Sequence, residues 1–382
     1  LTVLQDAIKD CLSNELSFVK FISANDAGST GSHQSGFYIA KNAWRILFDS
    51  PGSKGENKEK RVTIKWQQDF ETESRFIYYG QGSRNEYRIT RFGRGFPFLN
   101  EEHVGDLFVL IQMEETFYNA YILSGDEEIE EFFLEIGMDV TQTNSIIEKG
   151  DISTEPSIDE LFQKYLEELT VDFPDTKEIS RKAREISGVF YNIRKNDPDK
   201  LLLNWVETEY SLFRAIESSR YRERISTPFN SVEELVGCAN TLLNRRKSRA
   251  GKSLENHLSR IFKDHQLNFE EQAVTEGRKK PDFLFPGSID YHNSSVSSDK
   301  LTFLAAKTTC KDRWRQVLNE ADRIEEKHLF TLQQGISENQ LKEMYDYKVR
   351  LVVPKSYITS FPKKYRDKLM SLESFITHVK NK

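Results

Sequence analysis

Two carboxylates and a lysine in this chain have the residue types that phosphodiester hydrolysis needs. In "RKKPDFLFPG" (278–287), Asp282 heads an apolar run of Phe283, Leu284 and Phe285. Aspartate disfavours strands, yet the proline before it and the aromatics after it predict that a buried strand begins there. Either Lys279 and Lys280 neutralise the carboxylate at a turn, or it is held at a strand end to bind a metal. Lys307 ends the next apolar run, "LTFLAAKTT", and Glu320 follows on the helical stretch after it. Asp282 and Glu320 suit Mg²⁺, which keeps some of its waters. Such an ion polarises a phosphate and acidifies a water, while Lys307 steadies the nucleophile and the developing charge. Glu255, on an upstream helix, is either an extra carboxylate for the same site or half of a surface ion pair. The plainer alternative is a capped turn at Asp282 and a Lys307 that snorkels.

Two other patterns compete. "SRAGKSLE" (248–255) contains GKS, but the phosphate-loop pattern GxxxxGK[ST] needs glycine where Arg246 stands, which argues against nucleotide binding. The basic residues of this stretch, Arg245, Arg246, Arg249 and Lys252, suit DNA phosphates better. "HLSR" gives His257 and Arg260 the H-x-x-R spacing of tyrosine recombinases, with Tyr291 downstream. Such enzymes attack phosphate with the tyrosine itself. Tyr291 falls in "GSIDYHNSSVSSD", read as a polar loop, and His257 and Arg260 read more simply as the exposed face of an amphipathic helix.

The nuclease residues must be positioned by a sheet. "DFLF" (282–285), "LTFLAAKTT" (301–309), "HLFTLQ" (328–333) and "VRLVVP" (349–354) read as strands. The stretch 312–326 reads as a helix between the second and third, with Trp314, Val317, Leu318, Ala321 and Ile324 as its buried stripe. Four helices precede the sheet: "SIDELFQKYLEEL", "DKLLLNWVETEYSLFRAIES", "SVEELVGCANTLLNRRK" and "GKSLENHLSRIFKDH". The C-terminal half is therefore α/β. From about 35 to 125 the period is two instead, as in "RVTIKW", and many short strands with turn signals predict a β-rich barrel or sandwich. Periodicity fades over 139–159. This gives an N-terminal domain over 1–145, a linker over 146–156 and a C-terminal domain over 157–382.

At 382 residues the chain is long enough for two domains. Hydrophobic content of 37% and charged content of 30% describe a globular protein with many exposed charges. The net charge of −6 hides three basic islands, at 84–95, 244–252 and 309–315. Together they point to a polyanionic partner, because only the local footprint matters for DNA. Cys11, Cys238 and Cys310 lie far apart without a CxxC, which argues against a disulfide framework or cysteine zinc site. The amphipathic first residues lack signal-peptide form, and no window reads as a membrane span, so a cytoplasmic setting is expected.

The blocks "SANDAGSTGSHQSGFYI", "RNEYRITRFGRG", "NRRKSRAGKSLE", "EGRKKPDFLFP" and "KTTCKDRWRQVLNEAD" closely resemble the EcoRII-like restriction endonucleases, from about residue 16 to the C-terminus. The resemblance implies a homodimeric, Mg²⁺-dependent type IIE endonuclease acting on duplex CCWGG, accompanied by a cognate DNA methyltransferase. It implies a C-terminal nuclease domain of PD-(D/E)xK fold. It also implies an N-terminal B-three-like pseudobarrel that binds a further copy of the site and represses the nuclease until then. Asp282, Lys307 and Glu320 become the catalytic trio, with Glu320 on the following helix in place of a position just before the lysine. Lys311, Asp312 and Arg313 fall where such enzymes read CC:GG pairs, which suits their chemistry: Lys and Arg donate to guanine O6 and N7, and Asp accepts from cytosine N4. Tyr210 matches an aromatic that stacks on a flipped base, although Val206 stands where relatives carry an arginine. In the effector domain, Lys20, His33, Tyr38, Arg84, Glu86 and Arg88 match DNA-reading segments, while Gly82 and Tyr87 replace lysines. A catalytically silent DNA-binding regulator is the alternative class.

Overall fold

The computed structural model describes residues 2–28, 36–67, 70–148, 156–191, 197–277 and 279–382. The N-terminal half contains α1 (Val3–Ser13), β1 (Leu16–Phe21), β2 (Phe37–Ile39), β3 (Lys58–Trp66), β4 (Phe70–Tyr79), β5 (Glu86–Thr90), β6 (Leu107–Gln112), β7 (Phe117–Leu123), α2 (Asp126–Ile136) and β8 (Ser145–Glu148). The strands form one sheet in the order β2-β5-β4-β3-β7-β6-β1-β8. Every pairing is antiparallel except β3 with β7. Alternation sets the faces: Val62, Ile64 and Trp66 point inward. There Trp66, Phe37 and Phe108 make an aromatic core, with the last two rings stacked at 4.2 Å. This β-rich half agrees with the period-two reading.

The other face of the sheet carries α1 and α2. Helix α2 begins with Asp126, Glu127 and Glu128, which favour a helix N-terminus. It stops at Gly137, whose φ of 72° is left-handed. A side chain there would also meet the Arg214 guanidinium at 2.7 Å. Strand β8 crosses the expected start of the linker at 146. Residues 146–148 pair with β1 and belong to the sheet; residues 149–155 lie outside the described residues.

The C-terminal half contains α3 (Pro156–Glu168), α4 (Thr176–Phe190), α5 (Pro198–Ser226), α6 (Val232–Asp264), β9 (Glu270–Glu271), β10 (Phe283–Phe285), α7 (Ser288–His292), β11 (Thr302–Lys307), β12 (Lys327–Thr331), α8 (Glu338–Asp346), β13 (Val349–Val352) and α9 (Leu372–Lys380). Its sheet has the order β13-β12-β11-β10-β9. β11, β12 and β13 run parallel, and β9, β10 and β11 antiparallel. The α/β reading therefore stands, with three corrections. Helix α4 was missed, although Ile179, Ala183 and Ile186 give it a buried stripe. The two helices expected over 231–265 are one continuous helix, α6, of 33 residues. It runs through Gly251, whose cost in a helix is only ~1 kcal/mol and is outweighed by tertiary packing. The helix expected over 312–326 is a 3₁₀ segment, Arg313–Asn319, followed by extended backbone at Glu320. Trp314, Val317, Ala321 and Ile324 are still buried against the sheet, so the apolar stripe was real while the helix was not.

The halves share a core. Val19, Phe21 and Val109 of the first sheet and Ile129 and Phe132 of α2 pack in one apolar cluster with Val206 of α5, Leu254 and Leu258 of α6, and Phe283 and Phe330 of the second sheet. Gly105 approaches Gly335 so closely that a Cβ on it would stand 2.3 Å from the Gly335 carbonyl oxygen.

Candidate active site

Antiparallel pairing of β10 with β11 brings Asp282 beside the end of β11. Its carboxylate accepts from the Ala306 amide at 2.8 Å and from Gln272 Nε2 at 3.0 Å. Lys307, the last residue of β11, is half-buried. Glu320 reaches the same place from the β11–β12 crossover. Burial raises its pKa to about 7, the Asp282 carboxylate pushes in the same direction, and Lys307, Lys327 and Lys279 pull it down. Glu255 on α6 joins the edge of this group: burial raises its pKa, Lys252 at 2.9 Å lowers it, and Asp282 raises it again. The structure thus gathers the trio from three separate segments, with Glu255 within electrostatic reach.

Glu320 has a support that sequence reasoning missed. The buried Lys327 ammonium donates to the main-chain carbonyls of Glu320 and Ala321. Ala321 has a φ of 51°, a left-handed conformation that costs a residue with a Cβ ~1–2 kcal/mol. Lys327 thereby fixes a strained turn that aims Glu320. Gln272 was missed too. Neither left a signal in the sequence, because each acts through a contact made only by the fold.

Lys311, Asp312 and Arg313 sit on the loop after β11, and the N-terminal half covers all three. The Asp126 carboxylate, 1% exposed, accepts from the main-chain amides of Lys311 (3.0 Å), Asp312 (2.6 Å) and Arg313 (3.0 Å). The Asp126 amide in turn donates to the Asp312 carboxylate at 3.3 Å. The Lys311 ammonium pairs with buried Asp106, and Arg313 pairs with Glu130 at 2.6 Å. Burial works against the charge on Lys311, while Asp312 favours it; the direct Asp106 contact acts with Asp312. The acidic stretch of α2 supplies Asp126 and Glu130 to this seam.

The basic residues of α6 are likewise engaged within the chain. Arg246 binds Glu217 and donates to the Leu134 carbonyl at 2.6 Å. Arg249 is buried, pairs with Asp139 at 2.9 Å and lies 4.7 Å above the Tyr210 ring. Arg245 donates to the Tyr221 hydroxyl at 3.0 Å, and Lys252 pairs with Glu255. Tyr210 is buried, with no hydrogen-bond partner for its hydroxyl. Val206 lies in the shared core. Lys307, Glu255, Tyr210, Arg246 and Arg249 line one cavity of about 300 Å³, walled on the other side by Glu130, Phe133 and Leu134 of α2. A volume at the lower end for small-ligand pockets does not admit a double helix.

On the first sheet, Lys20, Tyr38, Glu86 and Arg88 come together, since Tyr38 pairs in register with Arg88 across β2 and β5. Lys20 is 2% exposed; it holds Asp26 at 2.6 Å and the Tyr38 carbonyl at 2.9 Å. Arg88 is also buried and makes a longer contact with Glu86. Arg84 is exposed above the Tyr79 ring. Lys20 and Tyr38 line a recess with Gln334, Ser360 and Arg366 of the other half. His33 lies outside the described residues. Gly82 takes a left-handed turn with a φ of 63°, and Tyr87 is a core residue whose hydroxyl accepts from the Gly52 amide at 2.7 Å.

The recombinase pattern does not assemble. Tyr291 lies on α7 and is 1% exposed, with its hydroxyl bonded to Glu276. His257 is buried beside Glu209 at 2.9 Å, in place of the expected exposed face, whereas Arg260 is on the surface with Asp264. With Tyr291 and His257 both buried, the pattern has no accessible nucleophile to attack a phosphate.

Comparisons with known proteins agree with this architecture. The family model "Restriction endonuclease EcoRII, N-terminal" matches residues 11–145, and "EcoRII C terminal" matches residues 213–376. The type II restriction enzyme EcoRII of Escherichia coli is 38% identical over 384 residues, covering 96% of this chain and 94% of that one. The type II restriction enzyme SsoII of Shigella sonnei is 26% identical over 141 residues, 34% of this chain and 45% of its own. Among solved structures, metal-depleted Ecl18kI in complex with uncleaved DNA aligns with a TM-score of 0.44 at 20% identity, over 60% of this chain and 84% of its own. The PspGI–substrate DNA complex aligns with a TM-score of 0.41 at 17% identity, over 61% of this chain and 98% of its own. With near-full-length identity to one relative and a matching model for each half, the chain belongs to the EcoRII family of type II restriction enzymes, site-specific deoxyribonucleases.

Proposed function

We propose that this enzyme hydrolyses duplex DNA at a CCWGG-like site with Mg²⁺, and that its N-terminal half holds the nuclease closed until that half binds a second copy of the site. One observation carries the second part of the reading. The three residues matched to base reading are all tied to acidic residues of the N-terminal half, and α2 walls the cavity beside Lys307. Acidic side chains and a buried carboxylate stand where guanines, cytosines and phosphates would be met. DNA and α2 then compete for one surface, so any ligand that binds the open form better shifts the population.

The donor set suits a hard divalent ion. Asp282 and Glu320 are oxygen donors, and the raised pKa of Glu320 beside Asp282 marks a place where added positive charge is welcome. When bound, Mg²⁺ supplies polarisation of the phosphate and acidification of a water. The chain's own residues do the rest. Gln272 and the Ala306 amide orient Asp282, Lys327 fixes the turn at Glu320, and Lys307 offers positive charge to the developing oxyanion. Glu255 is a reserve carboxylate at the edge of the group. Once α2 is displaced, Lys311 and Arg313 donate to guanine O6 and N7, and Asp312 accepts from cytosine N4. Arg245, Arg246, Arg249 and Lys252 exchange intramolecular partners for phosphates, and departure of Arg249 bares the Tyr210 ring for an extruded base. Lys20, Tyr38, Arg84, Glu86 and Arg88 form the effector surface, with His33 on its neighbouring segment. The reading includes a cytoplasmic homodimer that works beside a cognate methyltransferase.

The test is cleavage of DNA carrying one site, by the intact chain and by a fragment beginning near Ser157, each with and without a site-bearing oligonucleotide. The expected pattern is a slow intact chain stimulated by the oligonucleotide and a fast, unstimulated fragment. Four equal rates would refute the closed-state reading and leave the nuclease assignment standing.

A further inference from the structure

A second cluster of metal-ligating side chains lies away from the nuclease trio. Glu326 lies just before β12, and His328 is the second residue of that strand. His378 stands in the last turn of α9, and its ring centre is 5.1 Å from that of His328. One ligand atom from each of Glu326, His328 and His378 lies within 4.8 Å of the others. Glu326 Oε2 and His328 Nε2 are 3.5 Å apart. His328 pairs with Leu304 on β11, while Lys307 pairs with Thr331. The cluster is therefore at the opposite end of the parallel strand pair from the nuclease site, roughly 10 Å along the strand at about 3.3 Å per residue.

The buried partner is what singles out this cluster. His328 is 1% exposed, and neither ring nitrogen has a well-formed hydrogen bond; His378 Nε2 also lacks one. The Phe303 main chain lies near the His328 ring but outside good hydrogen-bond geometry. Buried polar nitrogens without partners are uncommon in native proteins, and a bound cation would supply the missing interaction.

We propose that Glu326, His328 and His378 form a site for a borderline divalent cation of the Zn²⁺ class, distinct from the hard-ion site at Asp282 and Glu320. Two imidazoles and one carboxylate, with a water completing the tetrahedron, are a ligand set that Zn²⁺ takes and Mg²⁺ does not. Bonds of about 2.0–2.1 Å require ligand atoms about 3.4 Å apart. The Glu326–His328 pair already meets this, and the others need to close by no more than about 1.5 Å. Glu326 is exposed and His378 partly so, which leaves both side chains room to move. Arg350 at 3.9 Å from Glu326 and the nearby Lys382 are the opposing charges. The ion would tie α9 to β12. Helix α9 carries Leu372, Phe375 and Ile376 into the core shared by the two halves, so the bond would reinforce the seam from the side away from the DNA-reading loop.

The experiment uses the intact chain stripped with chelator. Co²⁺ serves as the spectroscopic probe, since a four-coordinate site with imidazole ligands absorbs visibly while an all-oxygen octahedral site is nearly colourless. The expected result is one equivalent of Co²⁺ in a tetrahedral band, its displacement by Zn²⁺, and a Tm raised by a few °C with excess Zn²⁺ but not with Mg²⁺. Asp282→Ala should keep both signals. His378→Ala and, independently, Glu326→Gln should lose or greatly weaken them, and the exposed position of Glu326 makes its variant safe for folding. Absence of the band and of the Tm rise in the wild type would overturn the proposal. So would their survival in both variants, their loss in Asp282→Ala, or stabilisation by phosphate in place of Zn²⁺, which would make the pocket an anion site built on Arg350 and Lys382.

Discussion

Replacing Asp126 with alanine removes one carboxylate from the seam between α2 and the loop of Lys311, Asp312 and Arg313. That carboxylate is buried and accepts three main-chain N–H groups at 3.0, 2.6 and 3.0 Å. Hydrogen bonds to a charged group contribute ~1.5–3 kcal/mol each, and each buried donor left unpaired costs ~1–3 kcal/mol. In the proposed open form the same three donors would face water, so the penalty falls on the closed form alone. The terms do not add, because water enters the gap and the desolvation of the carboxylate is recovered. A net destabilisation of the closed state by ~2–3 kcal/mol corresponds to about a 30- to 150-fold shift in the equilibrium. The assay is single-turnover cleavage of a one-site duplex with no effector DNA. Asp126→Ala should cut it tens of times faster than the wild type, up to the ceiling set by the isolated C-terminal fragment. Asp126→Asn, which keeps one acceptor, should fall between. An independent Tm measurement guards against simple unfolding, since the lost helix-terminus charge costs α2 only ~0.3–1 kcal/mol. A rate within twofold of the wild type, alongside a fast fragment, would show that Asp126 does not hold the closed state and that the apolar core does.

Asp282→Ala and Lys307→Ala should each lower cleavage by at least about a hundredfold, or ~3 kcal/mol, while site binding measured by gel shift stays intact; near-normal cleavage removes them from the chemistry. Lys327→Met should raise the Mg²⁺ concentration needed for half-maximal cleavage, because it frees the turn at Glu320; an unchanged Mg²⁺ dependence assigns Lys327 to stability alone. Arg313→Ala should cost ~1–3 kcal/mol of discrimination at a G·C pair, read as the ratio of binding to site and random duplexes. Equal loss on both would make Arg313 a phosphate contact. Tyr291→Phe should leave cleavage unchanged and yield no covalent protein–DNA adduct on a denaturing gel.

Much of the molecule was legible locally. The period-two runs of the first half became the eight-stranded sheet, and the apolar runs at 282, 301, 328 and 349 became strands of the second. Side-chain alternation is a property of the strand itself, so it survives into the fold. Capping and length were less reliable. A glycine did not break α6, and the stripe from Trp314 to Ile324 lies on a 3₁₀ turn and extended chain. A buried stripe reports which residues face the core, and several backbone paths satisfy it.

Residue chemistry is legible in the chain alone: a carboxylate at the head of one strand, a lysine at the end of the next, a basic island just beyond, and blocks that identify a family. What those residues touch is set by the packing of distant segments. Asp126 and Lys311 are 185 residues apart in the chain, yet they meet at 3.0 Å. Acidic α2 covers the loop of Lys311, Asp312 and Arg313, and the buried histidine of an apparent surface motif pairs with Glu209. Linear patterns carry secondary-structure periodicity because it arises from neighbours two to four residues apart. A seam between halves arises from packing two separately formed surfaces. Its complementary charges lie far apart in sequence, where no local period records them.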